Sequence, residues 1–269
     1  LFDAIKGPDR RDSSSAQAGT EPVSPSLKDG IKGLRIGIPK EYFGQGTDED
    51  VEKTIRAAAE VYESLGAQLV DVSLPHEKYA LSVYYIIMPS EVSANMARFD
   101  GIRYGVRSTG AATLLETYTQ SRQEGLGPEV RRRIMLGTYA LSTGYTDAYY
   151  KQAQKVRVMV TRDFHNAFRS CDVILAPTSP TPAFRFGERA SDPLQMYLAD
   201  IFTVSANIVG IPGVSVPCGF VSRDGKDLPV GLQILGKHFD DATVLRAGHA
   251  YEQATEWHLR KPPLTNRAQ

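Results

Sequence analysis

Leu34-Arg35-Ile36-Gly37-Ile38-Pro39, followed by Thr47-Asp48 and then by Val51, Ile55, Ala58, Tyr62 and Leu65, decides the fold class. The first six residues alternate as a strand does. Thr47-Asp48 offers an N-cap, because a short polar side chain there can accept from the orphan N–H groups of a first helical turn. The five apolar residues recur at spacings of three and four and form one stripe, and Gly66 stands where a helix ends in a left-handed residue. Ala67 to Leu74 then returns as a strand. A strand, a helix and a second strand in that order imply a parallel pair with a right-handed crossover, hence an α/β protein.

On the amino-terminal side, Leu1 to Lys6 has the apolar spacing of the last turns of a helix, closed by Gly7-Pro8. That reads as a helix entered midway, with natural residues expected before position 1. Asp9 to Gly30 is polar and rich in Ser, Pro and Gly, the composition of a surface connection. On the other side, residues 78–170 carry helical signals, including a segment from Thr146 to Phe168 with Tyr149/Tyr150, Val156 and Val160 at helical spacing. Asp172 to Pro177 is a short apolar strand. Gly213 to Phe220 and Leu228 to Gly236 are two more, joined through the turn Arg223-Asp224-Gly225-Lys226. A final helix from Asp240 to Trp257 starts on paired aspartates, which suit the positive end of a helix dipole. The expected organisation is one piece of a single domain over 1–269. It comprises a helix end and loop (1–30), a strand-helix-strand unit (31–77), a helical layer (78–170), and strands, hairpin and final helix (171–260).

The 269 residues, 42% hydrophobic and 23% charged, can bury a substantial core. Lys+Arg and Asp+Glu are equal at 31 each, so no net field draws the chain to nucleic acid or to an acidic membrane. No run of about 18 apolar residues is present, as a membrane-spanning helix requires. Cys171 and Cys218 read as buried free thiols of a reducing compartment, so the expected location is cytoplasmic.

The sequence lacks a Gly-Lys-Ser/Thr phosphate loop, a dinucleotide fingerprint after a strand and a G-x-S-x-G elbow. Its five histidines, at 76, 165, 238, 249 and 258, show no metal-ligand spacing and read as surface or capping residues. Three places stand out instead. Asp200 interrupts Met196-Tyr197-Leu198-Ala199-Asp200-Ile201-Phe202-Thr203-Val204; an acid in such a run either loses hydration and needs a cation, helix end or ligand, or lies exposed on one helix face. Arg133 ends Arg131-Arg132-Arg133. At about 100° per residue it flanks the face marked by Val130, Ile134, Gly137 and Leu141, whereas Arg132 points away. It either grips a carboxylate with two parallel N–H groups, or is one of three solvated arginines. Tyr84-Tyr85 can place one ring in the core and one hydroxyl in a pocket. Together, an arginine and an aspartate could clamp the carboxylate and ammonium of an amino acid, although spacing alone does not bring them together.

Several longer segments carry a resemblance. Tyr84 to Glu91, Arg98 to Gly105, Arg132 to Tyr139, Asp147 to Lys151, Pro193 to Tyr197, Val216 to Gly219 and Gly231 to Gln233 are similar to the A subunits of glutamyl-tRNA(Gln) amidotransferases, a branch of the amidase signature family. The resemblance implies a layered α/β/α fold around a central mixed sheet, whose first part is built by an amino-terminal half absent from this chain. It implies a serine amidase mechanism in which a lysine, acting through a bridging serine, activates a nucleophilic serine. No lysine here sits in the Gly/Ser-rich setting that this requires, so no catalytic residue carries over. Glutamine recognition does carry over: Arg133 matches the arginine that holds the α-carboxylate, Asp200 the acid that holds the α-amino group, and Tyr84 a tyrosine near the pocket. Ammonia released from glutamine would pass to a B subunit, which uses ATP and Mg to amidate Glu-tRNA(Gln), or in some organisms Asp-tRNA(Asn). A small C subunit commonly clasps the pair. The chain itself would need no cofactor. The alternatives are an amidase-signature hydrolase of another amide, and a non-catalytic assembly or binding fragment; a zwitterion clamp argues against the first.

Overall fold

The computed structural model describes residues 1–18, 21–44, 46–189 and 193–262. In chain order these form α1 (Phe2–Ile5), β1 (Arg35–Pro39), α2 (Glu49–Ser64), β2 (Gln68–Val72), α3 (Ala80–Met96), α4 (Leu114–Gly125) and α5 (Pro128–Ala140). A π-helical turn, Thr146–Lys151, leads into α6 (Gln152–Ser170). Then come β3 (Val173–Pro177), α7 (Pro193–Leu198), α8 (Val204–Val209), β4 (Gly213–Arg223), β5 (Lys226–Gly236) and α9 (Asp241–Ala254). The chain divides into two compact units, Leu1–Glu77 with Val160–Gln269, and Lys78–Met159.

In the first unit the described strands make one mixed sheet in the order β2-β1-β3-β5-β4. β1 runs parallel to both β2 and β3, with Ile36 opposite Leu69 on one side and Val173 on the other. β5 is antiparallel to β3 and to β4. Each β3 residue is buried, as a central strand covered on both faces must be. Alternate residues divide between two cores. Val173 and Leu175 join Ile36, Ile55, Tyr62 and Tyr251 on one face, while Ile174 and Ala176 join Tyr42, Leu74, Phe164 and Phe168 on the other.

Local chemistry explains the elements. Asp48 Oδ1 accepts from the N–H groups of Asp50 at 3.0 Å and Val51 at 3.3 Å, starting α2 as its sequence signals. Val51, Ile55, Ala58 and Tyr62 are all buried. Gly66, at φ +87°, ends the helix and lets Ala67 turn back into β2. The β4–β5 turn has positive φ at Asp224 (52°) and Gly225 (71°), the primed turn whose twist matches an antiparallel hairpin. Both hairpin strands run further than the sequence patterns suggest, to Arg223 and from Lys226. Ladder pairing with a neighbour continues past the point where apolar alternation fades.

In the second unit α3 and α5 are the main packed pair. Gly137 of α5 lies so close to α3 that an added Cβ would sit 1.9 Å from the Pro89 carbonyl oxygen. A capping box starts α4, with Thr113 Oγ1 accepting from Glu116 N and Glu116 Oε2 from Thr113 N. Arg122 donates to the carbonyls of Met96 and Phe99, tying α4 to the end of α3. The segment expected as one regular helix from Thr146 opens instead with a π-turn, and Tyr150 there donates to Glu91 Oε1 at 2.8 Å. Apolar spacing reports helicity without distinguishing one wide turn.

Candidate functional site

Arg133 holds the half-buried position that its place on the helix wheel indicates. Its side chain is 23% exposed against 50% for Arg132. Nε donates to Glu129 Oε1 at 2.8 Å, one turn earlier, and the guanidinium carbon lies 5.3 Å from the centre of the Tyr85 ring. Burial opposes the charge, but Glu129 and the nearby tyrosines Tyr85 and Tyr84 more than offset it, and the pKa is raised from its usual value. Tyr84, half-buried on α3, meets Tyr85 edge-on, with ring centres 5.2 Å apart at 86°. The second unit therefore brings Arg133 together with the tyrosine pair.

Asp200 belongs to the first unit, and its surroundings differ from one of the two readings open at the sequence level. It is exposed, and so are Met196 and Leu198. The apolar run is broken into α7, a turn and α8, so that Phe202 and Val204 enter the core while Asp200 faces outward. No buried acid awaiting a cation results. The turn is nevertheless well ordered: the Asp200 carbonyl accepts from Thr203 N at 2.9 Å, Thr203 Oγ1 at 3.0 Å and Val204 N at 3.1 Å. Arg133 and Tyr84 thus lie in one unit and Asp200 in the other.

Three features of the first unit escape sequence reading, since their partners are distant in the chain. His76 is more than a surface residue: its backbone N–H donates to Asp163 Oδ2 at 2.7 Å, and its Nδ1 lies 3.0 Å from the same carboxylate. Gln233, 7% exposed on β5, donates through Nε2 to the Phe202 carbonyl at 2.9 Å. Glu77, 5% exposed, accepts from Ser205 Oγ. Both cysteines are buried and unpaired, and burial pushes their thiols up to about 11 at Cys171 and about 12 at Cys218. Among the described residues no group of three or more His, Cys, Asp or Glu side chains could hold a metal ion, and no helix is long and apolar enough to cross a membrane.

A family model described as amidase matches residues 1–245. The chain belongs to the amidase family. Among curated amidase relatives, the A subunits of glutamyl-tRNA(Gln) amidotransferase from Geobacillus thermodenitrificans and Bacillus velezensis are each 56% identical over 264 residues, 98% of this chain and 54% of theirs. The chain spans about half the length of the curated relatives it matches. The crystal structure of the A subunit of glutamyl-tRNA(Gln) amidotransferase from Thermotoga maritima is 35% identical, with a TM-score of 0.68 over 92% of this chain and 48% of that one. A bacterial aryl acylamidase of the amidase signature family, 24% identical with a TM-score of 0.70, shares the fold over 95% of this chain and 50% of its own. The mixed sheet and its helical cover are therefore part of an amidase-signature fold.

Proposed function

We propose that this chain supplies the glutamine-recognising part of the glutamine-hydrolysing A subunit of an amidotransferase, with Arg133 assigned to the substrate α-carboxylate, Asp200 to its α-ammonium, and Tyr84 to the pocket. The observation that carries the reading is Arg133 itself. A half-buried guanidinium beside the Tyr85 ring, with the partly exposed Glu129 as an ion-pair partner one turn earlier, presents planar donors suited to a carboxylate. Similarity to subunits of that name over 98% of the chain supports the substrate. An exposed, turn-anchored Asp200 fits an ammonium ligand that remains hydrated until substrate arrives. The nucleophilic serine and its lysine would come from the part of the relatives' length that this chain does not span. In the same reading, ammonia passes to a partner B subunit, where ATP and Mg serve the amidation of Glu-tRNA(Gln), and a C subunit completes a cytoplasmic assembly. The balanced charge of the chain agrees with tRNA being gripped elsewhere.

Within the complete enzyme, Arg133→Lys is expected to lower glutaminase kcat/KM by several-fold to hundreds-fold, because a point charge cannot reproduce the paired N–H contacts. Unchanged kcat/KM removes Arg133 from the site. Asp200→Asn is expected to impair glutamine use while sparing amidation driven by added ammonium; a parallel loss of both makes Asp200 a structural residue.

A further inference from the structure

Glu77 is a carboxyl group in an unusual place. It opens a 3-10 turn, Glu77–Tyr79, three residues after the buried Leu74, and only 5% of it reaches solvent. Oε1 accepts from the hydroxyl of Ser205, itself fully buried near the start of α8. The fully buried Tyr42 hydroxyl faces both Glu77 and Ser205, and neither that hydroxyl nor Glu77 Oε2 makes a hydrogen bond of full geometry among the described residues. The other groups acting on it are two acids, Glu41 from the turn after β1 and Asp163 from α6, the latter paired with His76. No cation figures among them. Burial, with these acids adding to it, pushes the Glu77 pKa up to about 7. A neutral carboxyl here accepts from Ser205 and can donate towards Tyr42; a charged one would accept from both hydroxyls, which favours the charge, but burial and the two acids outweigh that gain.

Ser205 is the second residue of α8, and the turn before α8 is closed on the Asp200 carbonyl. Among the described residues, besides the packing of Phe202 on Tyr42, two side-chain hydrogen bonds tie that segment to the unit: Gln233 on the Phe202 carbonyl and Glu77 on Ser205. Only the second of these can change its charge. We propose that Glu77 is a positioning residue for glutamine: as a neutral acid it pins α8 through Ser205 and so fixes the turn that presents Asp200, and its ionisation loosens that turn. The glutamine part of the inference rests on the assignment of Asp200 to the substrate ammonium, whereas the lock itself does not.

Hydrogen–deuterium exchange of this chain, corrected for the intrinsic pH dependence of exchange, reads the lock without substrate. When the turn opens, Glu77 regains its ordinary acidity, so opening becomes easier from about pH 4.5 up to about pH 7 and levels off above. Protection of residues 200–209 is expected to fall about ten-fold or more across that interval, while that of β3 does not. Glu77→Gln, which keeps the neutral shape, should hold the acid-side protection throughout, and Ser205→Ala should leave the segment weakly protected at every pH. A wild-type segment with no fall of its own, or a Glu77→Gln chain with the wild-type slope, overturns the proposal. Should Glu77→Gln not fold, a wild-type slope in Ser205→Ala does the same. In the complete enzyme, the glutamine KM should rise between about pH 4.5 and pH 7 and level off above, with little change in kcat, and Glu77→Gln should abolish that rise. If Asp200→Asn leaves KM unchanged while the exchange result holds, the lock stands and the glutamine assignment fails.

Discussion

Gly137 shows how one position can oppose the propensity of its own helix. Alanine is favoured over glycine by about 1 kcal/mol in a helix interior. At Gly137, however, the new methyl group would meet the Pro89 carbonyl oxygen at 1.9 Å, backbone that can give way only by moving α3. Gly137→Ala is therefore expected to destabilise the second unit by about 1 to 3 kcal/mol despite the propensity gain, read as a lower urea midpoint for a helical signal. This position was legible in the sequence as a small residue on the packed face of α5, and so was the half-burial of Arg133 beside it, because both follow from rotation about a single helix. Asp200 was harder. Apolar neighbours in sequence do not reveal that the chain breaks between α7 and α8 and turns the acid outward. Glu77 left no signal, its hydroxyl partner Ser205 being 128 residues away.

At the level of elements, caps and periodicity carried most of the information. The start, stripe and end of α2 are local events, and each is where the sequence puts it. Its cap also serves a longer contact: both Asp48 oxygens accept from Arg223 NH2, at 2.9 and 2.8 Å, while Arg223 NH1 reaches Asp50 at 2.9 Å. Asp48→Ala is expected to cost about 1 to 2 kcal/mol in thermal or urea denaturation, mainly through the two orphaned N–H groups. Asp48→Ser, which restores the cap without the ion pair, should recover most of that loss, since a partly exposed pair contributes little. A serine variant as unstable as the alanine one would shift the weight to Arg223. What periodicity did not disclose was the winding of single turns, as at Thr146–Lys151, where one extra residue within a single hydrogen-bonded turn separates the alternatives.

Across the whole molecule, two carboxyl groups of opposite behaviour shape stability against pH. Asp172 lies between Arg35, which reaches it at 2.8 Å, and Lys237 at 3.1 Å, and Arg35 above all holds its carboxyl well below the usual range. Its contribution is complete above about pH 4 and is lost as pH falls through the lower folded value. Glu77 is raised, so its contribution is complete below about pH 4.5 and is lost as pH climbs to about 7. Urea midpoints are thus expected to peak in mildly acidic buffer, and Glu77→Gln should flatten the decline towards neutrality while leaving the acid limb unchanged. A midpoint indifferent to pH between about 4.5 and 7 would contradict this. The fold class and the mixed character of the sheet were legible, because strand-helix-strand order and a tight hairpin are local facts. The strand order was not: β1 meets β3 across a wide interval, with Arg35 and Asp172 pairing at a separation of 137 residues.

That interval also sets a timetable. β4 and β5 need only the two-residue turn at Asp224-Gly225 to find each other, a closure of about 1 to 10 microseconds in hairpins generally. β1 can reach β3 only after a far longer loop has closed, at a larger entropic cost. A refolding chain should therefore guard the amides of the hairpin first and complete the middle of its sheet last, leaving the flank of β3 that faces β1 open to wrong partners until late in the process.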